Sequence, residues 1–262
     1  MYTHVITYAS HSERNYQNMI DNEYNIKIKT LGWGKKWKAL NNKIRLLYNE
    51  IKNYDDNDIV ISLDGFDVWI NGYLDKAIKA FKDTNSKVLF SLDMKQKLNP
   101  NFFQKISNLL VKKPWRSQGG GINGITLNSG IYMGYVKYLK IILNEAINKK
   151  CISDQVIFNR LCSKYKFISI DYEKNIFENV YSVNDVKKSN AVFVQVPGNF
   201  SILGLSLIKR FFYTYFQFYF LESLICLCIF CYLLFIKKKF IPMYLLIIIY
   251  LILVIYANKS CL

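Results

Sequence analysis

The amino-acid sequence predicts an α/β domain with a mainly parallel central sheet flanked by helices, followed by a C-terminal transmembrane helical hairpin. Two observations predict this arrangement: short apolar runs alternate with helical patterns over residues 1–205, and residues 211–257 are almost continuously apolar or aromatic. Strands that alternate with helices are typical of a parallel sheet. We therefore assign residues 1–205 to one domain and residues 211–257 to the hairpin.

The domain begins with an apolar run at residues 2–9, rich in β-branched and aromatic side chains, which predicts a buried strand. A nearly all-apolar run at residues 58–63 predicts a central strand that is buried on both faces. The other predicted elements are strands at 25–31, 87–92 and 124–135, the last interrupted at 128–130, and helices at 40–54, 74–81, 136–148 and 154–163.

The chain is strongly basic, with 35 Lys and Arg against 19 Asp and Glu and a formal net charge of +16. Such a charge suits a nucleic acid, an anionic membrane or a phosphate-bearing substrate. The basic residues are mostly scattered lysines, without the clustered arginines and aromatic platforms of nucleic-acid binders. We predict a solvated lysine-rich surface and no nucleic-acid partner.

An acidic pair follows the central predicted strand, in the sequence Leu63-Asp64-Gly65-Phe66-Asp67. Parallel sheets place their ligands beyond the carboxyl ends of the strands, which is where these carboxylates lie. Two oxygen ligands at such an edge suit Mg²⁺ or Mn²⁺, especially beside a substrate diphosphate. The alternative from spacing alone is a turn whose acids cap the next element.

Further polar residues fall at two other predicted strand or helix ends. Asn128 and Ser129 interrupt a predicted apolar strand. Their side chains either bind sugar hydroxyls or belong to an ordinary bulge or turn. Asp154 and Gln155 open a predicted helix, where Asp154 serves either as a helix cap or as a catalytic residue. The glycines at 119–121 indicate a linker or lid more than a phosphate-binding loop.

Together these segments give a resemblance to a known family. From about residue 5 to residue 199, the chain resembles the glycosyltransferase domain of the procollagen lysyl hydroxylases and the related collagen galactosyltransferases. The matching segments occur in the family's order, at residues 5–9, 31–37, 58–68, 91–93, 127–135, 154–155, 170–179 and 194–199.

The resemblance implies a GT-A type glycosyltransferase fold, a UDP-sugar donor and a Mn²⁺ or Mg²⁺ cofactor. By the same resemblance, Asp64 and Asp67 are metal ligands, and Asp154 and Asn128 are candidate catalytic residues. The residues implied to bind the donor are Thr7, Tyr8, Lys43, Asp64, Phe66, Asp93, Asn128, Ser129 and Gly198.

One position departs from the family. The family's third metal ligand is a histidine, whereas the histidines of this chain are His4 and His11, both near its start. Gln195 occupies the matching segment and is the expected third ligand, although an amide oxygen is a poorer ligand for Mn²⁺ than an imidazole.

The expected function is transfer of a hexose, galactose or glucose, from a UDP-sugar to an acceptor hydroxyl on a protein, lipid or glycan. A non-catalytic membrane protein that retains the fold for binding or scaffolding is the alternative. A nucleotidyltransferase is a third class, but it would leave the segments around Asn128 and Asp154 unexplained.

The expected hairpin comprises residues 211–236 and 240–257, joined by three lysines at 237–239. Glu222 is the only charged residue in either stretch, and each is long enough, or nearly so, to cross a bilayer of about 30 Å. We therefore expect the lipid bilayer as a partner. The first ten residues lack the regions of a signal peptide, which favours a domain on the cytosolic face.

Overall fold

The structure is a computed structural model that describes residues 1–35, 42–93, 122, 125–149 and 154–197. The predicted hairpin, the glycines at 119–121 and Gly198 lie outside the described residues. Within the described ranges, no helix combines the length and the apolar character needed to cross a membrane.

The bounds of the elements follow in chain order. The strands are β1 (Thr3–Tyr8), β2 (Ile28–Leu31), β3 (Ile59–Asp64), β4 (Val68–Ile70), β5 (Val88–Leu92), β6 (Leu127–Tyr135), β7 (Ile168–Asp171), β8 (Phe177–Asn179) and β9 (Phe193–Gln195). The helices are α1 (Tyr16–Ile20), α2 (Asn42–Ile51), α3 (Leu74–Asp83), α4 (Val136–Ile147), α5 (Asp154–Lys164) and α6 (Val183–Val186).

The central sheet has the strand order β2-β1-β3-β6-β5-β7. Strands β1, β2, β3, β5 and β7 run parallel to one another, and β6 runs antiparallel between β3 and β5. The mainly parallel sheet is therefore confirmed, and the reversed direction of β6 is an addition that the sequence pattern did not indicate.

Strand β3 is buried on both faces, as its apolar sequence predicts. Val60 packs with Ile44 and Leu47 of α2 in the core on one face, while Ile59 and Ile61 pack in the core on the other. This double burial fixes the position of the strand end that carries Asp64.

A second, three-stranded sheet has the order β4-β9-β8 and was not predicted from the sequence. Its strands are only three residues long, so they carry too little periodicity to be recognised. Strand β9 pairs antiparallel with β4, which places Gln195 opposite Val68, one residue after Asp67.

Two predicted boundaries were wrong for local reasons. Strand β2 begins at Ile28 and not at 25, because Asn25 has a positive φ of 55° and the Asn22 side chain bonds both backbone groups of Ile26. Strand β6 begins at Leu127 and not at 124. The interruption predicted at residues 128–130 coincides with an irregularity in the pairing with β5, where Phe90 pairs with Tyr132 but Ser91 pairs with Asn128. The Asn128 side chain satisfies its own strand there by accepting from the Gly130 amide at 2.6 Å.

Candidate active site

The polar side chains singled out in the sequence meet at one edge of the central sheet. Strands β3 and β5 both end at this edge, with Asp64 closing β3 and Asp93 following β5. Because β6 runs in the opposite direction, its first residues, including Ser129, lie beside those ends. Ligands of open parallel sheets bind at this kind of edge.

Lys43 is at the centre of the site. It lies on the apolar face of α2, in line with Leu47 and Ile51, and it is buried. Its ammonium group lies 2.9 Å from Asp64 Oδ1 and 2.5 Å from Asp154 Oδ2. It also donates a hydrogen bond to the Ser129 carbonyl, at 3.1 Å. One buried cation thus links helix α2, strands β3 and β6, and helix α5.

The charge of Lys43 is maintained by these two carboxylates. Burial lowers the pKa of Lys43, but Asp154 and Asp64 outweigh that effect and raise it above its ordinary value. Asp154 is itself buried and accepts a second hydrogen bond, from Ser129 Oγ at 2.9 Å. The structure therefore fixes the Asp154 carboxylate between an ammonium and a hydroxyl.

Gln195 connects the two carboxylates of the acidic pair. Its amide nitrogen donates to Asp64 Oδ2 at 3.1 Å and to Asp67 Oδ1 at 3.0 Å. The side-chain amide lies directly against Gly130, where an added Cβ would stand 2.3 Å from both Gln195 Oε1 and Nε2. A side chain at position 130 would therefore displace the Gln195 amide.

Gly65 has a comparable steric role inside the acidic turn. A Cβ at this position would lie 2.0 Å from the backbone carbonyl oxygen of Tyr8. Glycine thus lets the turn between Asp64 and Asp67 close against the end of β1.

The Asp64 carboxyl has an unusual electrostatic environment. Removal from water raises its pKa above the ordinary value, the Lys43 ammonium opposes that rise, and the Asp154 charge adds to it. The side chain nevertheless retains 32% exposure, whereas that of Lys43 retains 9%. Asp64 is therefore the more exposed partner of its ion pair with Lys43.

The donor atoms suit a hard divalent cation. Asp64 and Asp67 supply carboxylate oxygens that converge on one group, the Gln195 amide. The carbonyl oxygen of that amide is buried and has no hydrogen-bond partner among the described residues. Carboxylate and amide oxygens are the ligands that Mg²⁺ and Mn²⁺ accept. No cluster of three or more His, Cys, Asp or Glu side chains with metal-binding geometry occurs in the described part.

The chain also matches a known protein family. The profile described as "PLOD GT domain" matches residues 2–192. The chain belongs to this glycosyltransferase domain family. The family assigned from the sequence resemblance is thereby confirmed.

Two curated relatives illustrate the extent of the match. Chicken (Gallus gallus) procollagen-lysine,2-oxoglutarate 5-dioxygenase 1 is 27% identical over 177 residues, which are 62% of this chain and 23% of that protein. The human (Homo sapiens) multifunctional procollagen lysine hydroxylase and glycosyltransferase LH3 is 24% identical over 198 residues, 69% of this chain and 25% of that protein. The chain thus spans about a quarter of the length of these relatives.

Two solved structures are also similar. A glycosyltransferase involved in glycosylation of the major capsid of PBCV-1 has 14% identity and a TM-score of 0.45, covering 80% of this chain and 97% of that one. The galactosyltransferase LgtC, in complex with donor and acceptor sugar analogs, has 13% identity and a TM-score of 0.42, covering 79% and 93%.

The remaining residues predicted for this PLOD-type domain lie around the same edge. Asp93 accepts a hydrogen bond from Gln155 Nε2 at 2.9 Å. Phe66 is half-buried within the acidic turn. The side chains of Thr7 and Tyr8 are buried, and their hydroxyls bond the Leu63 carbonyl and Ser62 Oγ.

Sequence reasoning missed Asn159. Its side chain is fully buried and bonds both the amide and the carbonyl of Leu127, at 3.0 and 3.1 Å. The Asn159 side chain therefore makes the two hydrogen bonds that a neighbouring strand would otherwise make to the first residue of β6. The available signal was a polar residue directly after Ile157 and Phe158.

Proposed function

We propose that this domain transfers a hexose, galactose or glucose, from a UDP-sugar to an acceptor hydroxyl, with a divalent cation at Asp64, Asp67 and Gln195. The supporting observation is the direct contact of five side chains from separate segments at one sheet edge. These are Lys43, Asp64, Ser129, Asp154 and Gln195.

The chain's own residues provide a fixed electrostatic environment for this reaction. Lys43 keeps the carboxylates of Asp64 and Asp154 together and balances part of their charge. Ser129 Oγ donates to Asp154 and restricts its rotation. A fixed carboxylate beside the reacting sugar suits stabilisation of developing positive charge, which is the role we give Asp154. Asn128 is the neighbouring candidate for contact with the donor sugar.

The cation would be held by Asp64 and Asp67, with Mn²⁺ or Mg²⁺ as the metal. When bound, it supplies Lewis-acid stabilisation of the negative charge that develops on the UDP leaving group.

The test uses the full-length chain purified in detergent, with UDP-galactose and UDP-glucose as donors. Collagen-like peptide, lipid and free sugars serve as acceptors. We expect release of UDP to require Mn²⁺ or Mg²⁺, and Asp64→Asn with Asp67→Asn to lower its rate at least about 100-fold.

The control replaces two exposed aspartates, Asp56→Asn with Asp185→Asn, whose partners are the surface lysines Lys140 and Lys188. This variant should keep the wild-type rate. Full activity in EDTA, or in the variant of the acidic pair, would refute the proposal.

A second candidate function is donor binding without transfer, in a scaffolding module. Its motivation is Gln195, whose amide presents nitrogen to Asp64 and Asp67. Calorimetry with UDP and Mn²⁺ separates the two. Metal-dependent binding of UDP without turnover of any UDP-hexose would favour the binding module.

Membrane attachment through residues 211–236 and 240–257, with the domain on the cytosolic face, is part of the proposal. It is supported by the apolar composition of both stretches. Alkaline carbonate extraction of cell membranes should leave the chain in the pellet, and protease added to sealed vesicles of known orientation should cleave the domain only from the cytosolic side. Release by carbonate would contradict the attachment.

A further inference from the structure

Gln195 is held in a way that leaves only its terminal amide free to turn. Its backbone carbonyl oxygen accepts from the backbone amide of Val180 at 2.8 Å, and the backbone amide of the next residue, Val196, donates to the Asp67 backbone carbonyl at 2.9 Å. The residue is 2% exposed and its side chain lies against Gly130. The backbone and the side-chain stem are therefore fixed by β8, β4 and β6.

The two ends of the amide have opposite situations. The nitrogen makes two hydrogen bonds, to Asp64 and Asp67, while the oxygen is buried without a partner among the described residues. A buried carbonyl oxygen without a donor is unfavourable, because it has lost its bonds to water. This oxygen is thus a ligand atom beside two carboxylates, turned away from them.

Rotation of the Gln195 side-chain amide by 180° exchanges the positions of Nε2 and Oε1 and requires no additional space. The added Cβ position at Gly130 is equally distant from both amide atoms, at 2.3 Å, so packing against β6 is the same in either orientation. Electrostatics alone then selects the orientation. Two carboxylates favour the N–H groups, and a cation between them favours the carbonyl oxygen.

We infer that Gln195 is a two-position amide that senses the cation. With the carboxylates alone, its nitrogen bridges Asp64 and Asp67 and holds the site in shape. With Mg²⁺ or Mn²⁺ bound, the amide is turned and Oε1 is the third protein ligand. The inference rests on the cation of the proposed function and adds a way for the site to keep its geometry between catalytic cycles.

The decisive variant is Gln195→Glu in the full-length chain in detergent. In EDTA, a third carboxylate replaces both N–H bonds, so Tm should fall by about 3 °C or more. The added charge should at the same time tighten Mg²⁺ and Mn²⁺ binding by about tenfold, measured by calorimetry with each metal chloride. Loss of stability without metal, together with a gain of affinity, is not expected of a residue that only packs.

Gln17→Glu is the matched control. The Gln17 amide also donates to an aspartate, Asp21 Oδ2, at 2.6 Å, but on the exposed surface of α1. The same change of charge there should leave cation affinity at the wild-type value.

Gln195→Met covers the case in which the glutamate variant does not fold. It keeps the side-chain length and removes both amide atoms, so cation affinity should fall by about tenfold. Unchanged affinity in both variants, or no cation binding by the wild-type chain, would overturn the inference.

A direct measurement follows the amide itself. In a chain labelled with ¹⁵N-glutamine, the Gln195 side-chain signal is identified by its loss in Gln195→Met. Titration with Mg²⁺ should shift that signal as its bonds to Asp64 and Asp67 break, and should leave the Gln17 signal in place. An unmoved Gln195 signal at saturating Mg²⁺ would refute the turn.

These experiments distinguish failure of the proposed function from failure of the Gln195 inference. If the cation measurements agree with the inference but no UDP-hexose is turned over, the amide inference stands and the transferase proposal is wrong. If UDP-hexose is turned over fully in EDTA, the cation requirement and the inference are both wrong.

Discussion

Asp58 and Asp64 stand at opposite ends of the same strand, and their carboxylates have very different partners. Asp58 directly precedes β3. Its Oδ1 accepts a hydrogen bond from the Tyr2 backbone amide at 2.5 Å, and its Oδ2 lies 3.1 Å from His4 Nε2. Asp64 ends β3 with Lys43 on one oxygen and the Gln195 amide on the other. The first set of partners joins two neighbouring strands, while the second set joins helix α2 and strand β9 to the end of β3.

The pKa values of the two carboxyls move in opposite directions. Burial would raise the pKa of Asp58, but the Tyr2 amide and His4 outweigh it, so its pKa lies below the ordinary value. For Asp64, loss of water prevails over Lys43, and its pKa is raised. When hydrogen bonds and positive charges outweigh the loss of hydration, as at Asp58, the carboxylate stabilises the fold. When they do not, as at Asp64, the carboxylate can gain further stabilisation from a bound cation. The difference agrees with a candidate site at the carboxyl end of β3.

The largest expected effect comes from removing the Lys43 ammonium group, which contacts Asp64 at the carboxyl end of β3. Lys43→Met leaves the buried Asp154 carboxylate without its cation and close to the Asp64 carboxylate, so the free energy of unfolding should fall by about 3–5 kcal/mol. Urea denaturation followed by circular dichroism measures it. Lys140→Met removes a surface pair with Asp56 and should cost less than about 1 kcal/mol. Equal losses in the two variants would contradict a special role for Lys43.

Gly130→Ala tests the contact that positions the other partner of Asp64. The new methyl group would overlap the Gln195 amide, and such overpacking costs about 1–3 kcal/mol. Cation affinity, measured by calorimetry, should fall as well, because Gln195 is displaced. Gly72→Ala is the control: its nearest neighbour, Val192 Cγ2, would be 3.4 Å away, an ordinary contact. If Gly130→Ala behaved like Gly72→Ala, the packing of Gln195 would be wrong.

The sequence predicted the parts of this site that depend on local pattern. The acidic turn follows an apolar run, so Asp64 and Asp67 could be placed at a strand end from residues 58–68 alone. The helical spacing of Ile44, Leu47 and Ile51 likewise predicted α2, although the burial of Lys43 on that face was not evident.

The parts that could not be predicted depend on pairing between distant segments. Nothing in the apolar pattern of β6 gives its direction, yet its antiparallel direction brings Ser129 beside Asp64. The contact of Gln195 with the acidic pair depends on β9, a strand of three residues paired with β4. Asn159 was missed because a single polar residue on a helix is ordinarily assigned to the surface, and its partner is a strand edge.

The next effect in size sharpens the comparison directly. Asp58→Asn should lower the free energy of unfolding by about 1–2 kcal/mol, because hydrogen bonds to a charged acceptor are lost. Asp64→Asn should leave it unchanged or raise it in EDTA, because the raised pKa shows that the ionised form is disfavoured in the fold. Both are measured by urea denaturation at neutral pH. A larger loss for Asp64→Asn would contradict the assignment of the two ends.

The smallest expected effect is the acid dependence of stability that Asp58 contributes. Its folded pKa is lowered, so its contribution is fully present above the unfolded pKa of about 3.9 and is lost as the pH falls through the folded value. The difference in Tm between the wild-type chain and Asp58→Asn should therefore narrow steadily as the pH is lowered from about 5 to about 2. Scanning calorimetry of both chains in EDTA measures this difference. Parallel curves would mean that the partners of Asp58 do not favour its charged form, and the contrast with Asp64 would then rest on geometry alone.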